Sequence, residues 1–346
     1  MTTLWLDHRH LELRTEPGAL VPYVGGARQR PVPLRLLERV VIFGNCRLTA
    51  SMLGTLAEAG VAVAIVSPRK SARRAWLMGP PHNDATLRLA HLSAARDAGF
   101  RRAEAMRLVR AKVRRQLALV RDMRRQRPDA GRPLKRSEDI LRGIATTLET
   151  SEPDDIDALR GLEGSASRAQ FDALAAVLPP SLEFSGRRRR PPPDPVNAVL
   201  SLSYTLLHHR AAQTAWACGL DPLLGFFHAP AFGRESLAAD LIEPWRPEID
   251  RWVWRLFAER RLRGGHFHHE RKASSNGSGS ATGTADNGGE TAADTARDHA
   301  CYLGKAGRRT FYEAFERDLG PLFRALRWQV RGLVKRIRNV EGSGRG

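Results

Sequence analysis

Cysteine is scarce in this chain of 346 residues: there are three, Cys46, Cys218 and Cys301, far apart and with no CxxC spacing. A disulfide framework and a thiolate zinc site of the usual spacing are therefore excluded, and a reducing cytoplasm is expected. The chain also lacks an apolar run of the ~20 residues that cross a bilayer, and it lacks an N-terminal basic segment followed by an apolar one. We expect a cytoplasmic protein that is neither exported nor bound to a membrane.

Acidic residues are in deficit, because 37 Asp and Glu face 56 Lys and Arg, which gives a formal net charge of +19. Lysine is itself rare, since 50 of the 56 basic residues are Arg. A guanidinium forms two parallel hydrogen bonds with phosphate oxygens, so this composition favours phosphodiester recognition. Nucleic acid is the expected partner. Apolar residues make up 42% of the chain, which excludes wholesale disorder.

The spacing of hydrophobic residues along the sequence changes once and divides the chain into two parts. Residues 1–80 show strand-type alternation and turn residues, with buried strands predicted at 40–43 and 61–66 around a helix at 49–58. A cluster of Gly and Pro precedes Asp84, a predicted helix N-cap, and the period then changes to 3.6. The predicted fold class is α+β, with a small β-rich N-terminal domain (1–80) followed by a larger all-α domain (84–346).

Two segments interrupt the helical pattern of the second domain. The run Arg187, Arg188, Arg189 and Arg190 precedes three prolines and is either a nucleic-acid track or a solvated loop. Residues 273–296 are dominated by Ser, Gly, Thr, Ala and Asn, a composition that predicts a disordered insertion. Helices are predicted elsewhere, at 101–127, 154–177, 195–219, 236–243, 247–259 and 308–338.

Four polar residues of the helical domain have apolar or small neighbours: Glu163, His228, Asp240 and Glu243. Asp240 and Glu243, three apart, share one helix face, where two carboxylates stay ionised only if a cation offsets their repulsion. Carboxylates with one imidazole suit Mn²⁺ or Mg²⁺. Ordinary ion pairs and a satisfied core histidine are the alternative explanation.

Other groupings are less informative. His266, His268 and His269, with His299 and Cys301, could form a second metal site, although they flank the low-complexity segment and are more simply polar residues at a loop edge. Asn197 and Tyr204 are two helical turns apart and could line a site or form a core hydrogen-bonding pair.

Together these strings resemble the CRISPR-associated spacer-acquisition integrases, which are metal-dependent DNA endonucleases. The resemblance covers nearly the whole chain, and the 273–296 segment departs from it as an insertion. It is carried by these motifs in order: VIFGN at 41–45, LEG at 162–164, DPVNA at 194–198, GLDP at 219–222, GFFH at 225–228 and SLAADLIEPWRP at 236–247.

The resemblance implies that Glu163, His228 and Asp240 are catalytic ligands of Mn²⁺ or Mg²⁺, with Glu243 in a supporting role. It also implies a homodimer formed through the β-rich domain, bridged to a second dimer by a small ferredoxin-like partner protein. The expected reaction joins the 3′-hydroxyl of a prespacer DNA to a CRISPR repeat by transesterification. Candidate DNA-binding residues are Asn197, Tyr204, Arg187, Arg188, Arg189, Arg190 and Arg246, with the basic helix at 101–127. The alternative is a non-catalytic, basic DNA-binding subunit of a nucleoprotein complex.

Overall fold

The computed structural model describes residues 2–66, 73–78, 82–151, 153, 155–188, 191–271 and 299–343. The expected insertion at 273–296, Arg189, Arg190 and part of the expected domain boundary lie outside the described residues. None of the described helices is both long enough and apolar enough to span a bilayer.

The N-terminal part consists of two sheets and one helix. The first sheet contains the strands β1 (Thr2–Leu6), β6 (Leu37–Phe43), β8 (Ala62–Val66) and β9 (Arg73–Leu77) in that order. β1, β6 and β8 are parallel, and β9 is antiparallel to β8. The second sheet contains β2 (Leu11–Glu16), β3 (Ala19–Val24), β4 (Ala27–Arg28), β5 (Val32–Pro33) and β7 (Cys46–Arg47).

The first sheet is buried on both faces, which explains the continuous apolar runs of its strands. Val40 and Ile42 join a core shared with the second sheet and with helix α1 (Ala50–Glu58), whereas Val41 and Phe43 face the helical part. α1 begins where the Thr49 side chain accepts the backbone N–H of Met52 at 3.3 Å. The expected strands and helix are thus confirmed.

The rest of the chain is mainly helical, as predicted. Asp84 is the N-cap of the first helix there, because its carboxylate accepts the backbone N–H of Leu87 at 2.9 Å. The helices up to the hairpin described below are α2 (Ala85–Arg96), α3 (Ala98–Gln126), α4 (Gly131–Thr150), α5 (Ile156–Val177), α6 (Pro195–Ala217), α7 (Ser236–Ile242) and α8 (Arg246–Ala258).

Two local predictions need correction. The single helix expected at 308–338 is divided into α9 (Lys305–Asp318) and α10 (Gly320–Ser343), with Leu319 ending the first helix. The domain expected to be all-α also contains an antiparallel hairpin of β10 (Phe267–Arg271) and β11 (His299–Leu303). The hairpin contacts the three prolines at 191–193, because the backbone N–H of Cys301 donates to the Pro192 carbonyl at 2.8 Å.

The β-rich and helical parts share one continuous core. Trp5 of β1 stacks on Tyr312 of α9 with ring centroids 4.5 Å apart, and Phe43 stacks on the same tyrosine at 5.0 Å. Arg210 of α6, itself buried, donates to the Thr3 hydroxyl at 2.9 Å and lies 3.9 Å from the ring centroid of Phe323. These contacts hold the first sheet against the helices.

Candidate active site

The carboxylate of Asp240 holds the loop that carries His228. One oxygen accepts the backbone N–H groups of Phe226 and Phe227 at 2.6 and 3.0 Å, and the other accepts the backbone N–H of His228 at 2.9 Å. The second oxygen also lies 2.6 Å from Nδ1 of His228. Gly225 is required for this turn, because a Cβ there would approach the His228 carbonyl to 2.7 Å. The carboxylate is 99% buried and makes the four hydrogen bonds that two oxygens can accept.

This arrangement fixes the histidine ring. A ring nitrogen that lies 2.6 Å from a carboxylate carries the proton of the hydrogen bond, so the lone pair of a neutral His228 lies on Nε2. A carboxylate behind an imidazole is the usual support of a metal-binding histidine.

Lys112 of α3 bridges the two glutamates of the site. Its ammonium donates to Oε2 of Glu243 at 2.6 Å and also forms a short hydrogen bond to Oε1 of Glu163. Glu163 accepts a further bond from the Ser167 hydroxyl at 2.7 Å. The two carboxylates therefore converge on one cation, and this cation is buried, because the side chain of Lys112 is only 6% exposed.

Glu243 stays ionised although it is buried. Burial alone would raise its pKa, but the charges of Arg246 and Lys112 outweigh burial, so the pKa lies well below its usual value. The charge of a protonated His228 acts on this pKa in the same direction. Arg246 donates to Glu243 at 2.8 Å and lies 4.6 Å from the ring centroid of Tyr204.

Tyr204 belongs to a buried network beneath Arg246. Its hydroxyl forms a short hydrogen bond to Asp250, whose second oxygen accepts from Gln170 at 2.5 Å. Burial raises the pKa of Asp250 to about 6, although both hydrogen bonds oppose the shift. Burial, together with the charge of Asp250, also raises the pKa of Tyr204 well above its usual value.

Asn197 is buried and holds the segment that contains Arg187 and Arg188. Its amide donates to the Gly186 carbonyl at 2.9 Å and accepts from the Arg187 guanidinium at 2.9 Å and from the Arg188 backbone at 2.8 Å. Asn197 is fully buried and Tyr204 is 8% exposed. In this structure the two residues contact Arg187 and Arg246 from within the protein, while Arg188 is exposed, and their contact with DNA stays a prediction.

The predicted group of four forms two separate contacts, in which Glu163 and Glu243 meet at Lys112 and His228 meets Asp240. Asp240, expected as a ligand, has all its acceptor positions filled by the protein, whereas Glu243, expected as a supporting residue, faces Glu163 across Lys112. Within the described ranges, no three His, Cys, Asp or Glu side chains are grouped closely enough to hold a metal ion as they stand. The ammonium of Lys112 occupies the position between the carboxylates.

The alternative histidine cluster is divided between the two faces of the hairpin. In the hairpin, His269 is opposite Cys301, whereas His268 is opposite Tyr302. Successive side chains of a strand point to opposite faces, so His268 and His269 are separated by the sheet. His268 instead lies 3.5 Å from the carboxylate of Glu270.

Many arginines of the basic helix α3 are already paired with acids. Arg114 contacts Glu149 at 3.1 Å, and both Arg121 and Arg124 contact the buried Glu138. Their positive charge is partly offset, which weakens the expectation of a DNA track along the whole helix.

A basic groove lies at the N-terminal end of the same helix. The groove has a volume of about 500 Å³, and its charged lining consists of Arg101, Arg102 and Arg160 with Asp155 and Asp157, the latter paired with Arg160. The three arginines exceed the two aspartates, and Ala229, the residue after His228, lines the same groove. Arg101 and Arg160 hold the carbonyls of Phe226 and Phe227 at 3.4 and 3.0 Å, while Arg102 is exposed. The positive charge therefore reaches the turn that carries His228.

Sequence reasoning missed Lys112 and Asp250. Lys112 lies between Val109 and Val113 on the apolar stripe of α3, so a lysine at a core position was the available signal. Asp250 lies in the same way beside Ile249 in α8. Both are buried charges, which require partners from other helices.

Three comparisons identify related proteins. The profile of the family described as CRISPR associated protein Cas1 matches residues 4–277. A protein named CRISPR-associated endonuclease Cas1 1, from Thermodesulfovibrio yellowstonii, is 33% identical over 337 residues, covering 97% of each chain.

Solved structures show the same fold. A CAS1 protein from Thermotoga maritima superposes with a TM-score of 0.73 at 18% identity, covering 97% of each chain. A casposase bound to integration product superposes with a TM-score of 0.77 at 18% identity, covering 97% of this chain and 90% of that one. At such identities the likeness concerns the fold, and it confirms the β-rich part followed by a mainly helical part.

Proposed function

Because this chain belongs to the CRISPR-associated Cas1 family, we propose that it is a metal-dependent DNA endonuclease and integrase of CRISPR adaptation. The observation that carries the proposal is the convergence of Glu163 and Glu243 on one buried cation, beside a histidine fixed by Asp240. The names of the relative and of the casposase structure support the same chemistry.

The donor set fits a divalent metal. Two carboxylates already share a cation, and an imidazole whose Nδ1 is hydrogen bonded leaves Nε2 for a ligand. Oxygen donors with one nitrogen suit Mn²⁺ or Mg²⁺. We assign Glu163, His228 and Glu243 as the ligands, with Lys112 moving aside and Asp240 orienting the histidine. When bound, the ion supplies Lewis-acid polarisation of a phosphoryl oxygen.

The proposed reaction is a phosphoryl transfer. The 3′-hydroxyl of a prespacer strand attacks a phosphodiester at the repeat boundary, a new P–O bond forms, and the 3′-oxygen of the cut strand leaves and takes up a proton. Water in place of the hydroxyl gives strand cleavage. Within the protein, Arg246 keeps Glu243 ionised, and Asp240 holds the ring of His228 through Nδ1.

Assembly follows the family resemblance. We propose a homodimer formed through the β-rich part, with two dimers bridged by a small ferredoxin-like partner protein. The exposed Arg188 and the groove that contains Arg102 would contact DNA phosphates without reading bases.

The test is integration of a short duplex with free 3′-hydroxyl ends into a supercoiled plasmid that carries the repeat, with Mn²⁺ or Mg²⁺. We expect strand joining by the wild type and a loss of at least 100-fold for Glu163→Gln. Glu149→Gln, which removes an exposed carboxylate of α4, is the control and keeps full activity. No strand joining with either metal, together with DNA binding that excess EDTA and Glu163→Gln leave unchanged, would favour the alternative, a non-catalytic DNA-binding subunit.

A further inference from the structure

Phe232 is a large, fully exposed aromatic residue on the turn that follows His228 in the chain. Its side chain is fully exposed, and it lies four positions after His228 in the chain. A benzyl group left in water forgoes the stabilisation that burial would give it. Phe232 therefore does not contribute to the core, and a partner outside the chain is the natural candidate for contact with its ring.

The ring is carried by a structured turn. Ala231 and Arg234 form an antiparallel bridge, and Gly233 has a positive φ of 69°, which glycine adopts readily. The Arg234 guanidinium and the Ser236 hydroxyl both donate to the Ala229 carbonyl, the latter at 3.1 Å. The turn is thus fastened at its base and presents Phe232 in a defined place.

The residues near this turn indicate which kind of molecule contacts Phe232. Ala229, at its base, lines the groove that also contains Arg101, Arg102 and Arg160. An occupant that carries phosphates next to flat, apolar faces matches both features, and that combination is a DNA strand. Base–aromatic stacking tolerates any sequence, because every base has a π-face.

We propose that Phe232 stacks on a nucleobase adjacent to the phosphodiester at which strands are joined, and so positions that phosphate against the site of Glu163, His228 and Glu243. The inference rests on the proposed function and adds to it a positioning residue for the target strand. Phe232 acts through the base and does not touch the reacting atoms.

The test is a double-mutant cycle between protein and DNA. Joining rates are measured for wild type and Phe232→Ala on targets in which each nucleotide near the joining site is replaced in turn by an abasic one. At one position we expect the abasic nucleotide to slow the wild type roughly 5- to 100-fold and the variant by less than 2-fold. Independent, multiplicative effects at every position would overturn the proposal.

Companion variants separate stacking from other roles. Phe232→Tyr keeps the ring and should stay within about 2-fold of wild type, whereas Phe232→Leu should behave like Phe232→Ala. If Leu restores activity, or if Phe232→Ala changes only the oligomeric state, the ring packs against protein and the proposal is wrong.

Trp328→Ala removes another exposed aromatic side chain, on α10, and is the matched control. Wild-type protein that joins no strand at all would refute the proposed function, whereas full activity with no base coupling would refute only the role of Phe232. Because the side chain is exposed, the melting temperature should be unchanged and reports whether each variant is folded.

Discussion

Nδ1 of His228 lies 2.6 Å from Oδ1 of Asp240, and the same oxygen accepts the backbone N–H of His228. One carboxylate therefore fixes both the ring and the main chain of the histidine. This double attachment supports the proposed role of Asp240 in orienting His228.

We expect Asp240→Asn to lower the strand-joining rate about 10- to 100-fold, the usual effect of removing a residue that orients a metal ligand. The free energy of unfolding should fall by about 2–4 kcal/mol, because backbone N–H groups lose a charged acceptor. Excess Mn²⁺ should restore part of the rate. If Glu243→Gln is fully active while Asp240→Asn is inactive at every Mn²⁺ concentration, Asp240 is the ligand after all.

Lys112→Met should separate stability from metal binding. Without divalent ions, the variant should lose about 3–5 kcal/mol of unfolding free energy, because two partly buried carboxylates lose their shared cation. Mn²⁺ should then raise its melting temperature more than that of wild type, since no ammonium competes for the position.

The control for this experiment is Lys135→Met, which removes an exposed lysine paired with Asp139 within α4. It should change stability by less than 1 kcal/mol and leave the response to Mn²⁺ as in wild type. An equal Mn²⁺ response in wild type and Lys112→Met would show that Lys112 does not occupy the metal position.

The raised pKa of Asp250 predicts a pH-dependent stability. Burial moves this pKa from 3.8 to about 6, so the folded state holds the proton more tightly than the unfolded state. The stabilising contribution is complete below pH 3.8 and is lost as the pH rises through about 6. Over this pH range the contribution of Asp250 to the free energy of unfolding falls by on the order of 3 kcal/mol.

Asp250→Asn removes this titration and keeps an acceptor for the hydroxyl of Tyr204. The difference in unfolding free energy between wild type and variant, measured by urea denaturation from pH 3.5 to 7.5, should therefore shift in favour of the variant across that window. A difference that does not change with pH would show that Asp250 is ionised in the folded protein throughout.

Arg102 should contribute to the salt dependence of DNA binding. If Arg102 contacts one phosphate, Arg102→Gln should reduce the slope of log K against log salt by about 0.9. Arg114→Gln should change the slope less, because Arg114 does not line the groove that contains Arg102. Titrations between 50 and 300 mM salt distinguish the two, and equal slopes would remove Arg102 from the interface.

Local signals predicted much of the fold. Thr49 and Asp84 begin helices as their side-chain chemistry dictates, and the apolar strand at 40–43 is buried on both faces. The end of α9 at Leu319 was missed although Gly320 and Pro321 follow it, a pair that commonly ends one helix and begins the next. The hairpin was also missed, since its strands pair across a long separation in sequence.

The candidate site shows the same division. Helical spacing predicted that Asp240 and Glu243 share one helix face. It could not distinguish a carboxylate whose oxygens accept backbone N–H groups from one that faces a cation. That distinction depends on the turn at Gly225 and on Lys112 from a helix more than a hundred residues earlier. Long-range placement, and not residue type, decides the role of each acid.

Arg271 and His299 are paired in the hairpin, so the last described residue before 272–298 and the first one after it are neighbours. A connection between adjacent points can grow with little penalty, since doubling the length of a flexible loop costs only about 0.6 kcal/mol. Relatives can therefore differ widely in length here without altering the fold. The same position is a suitable place to graft a fluorescent tag or an affinity tag onto the protein.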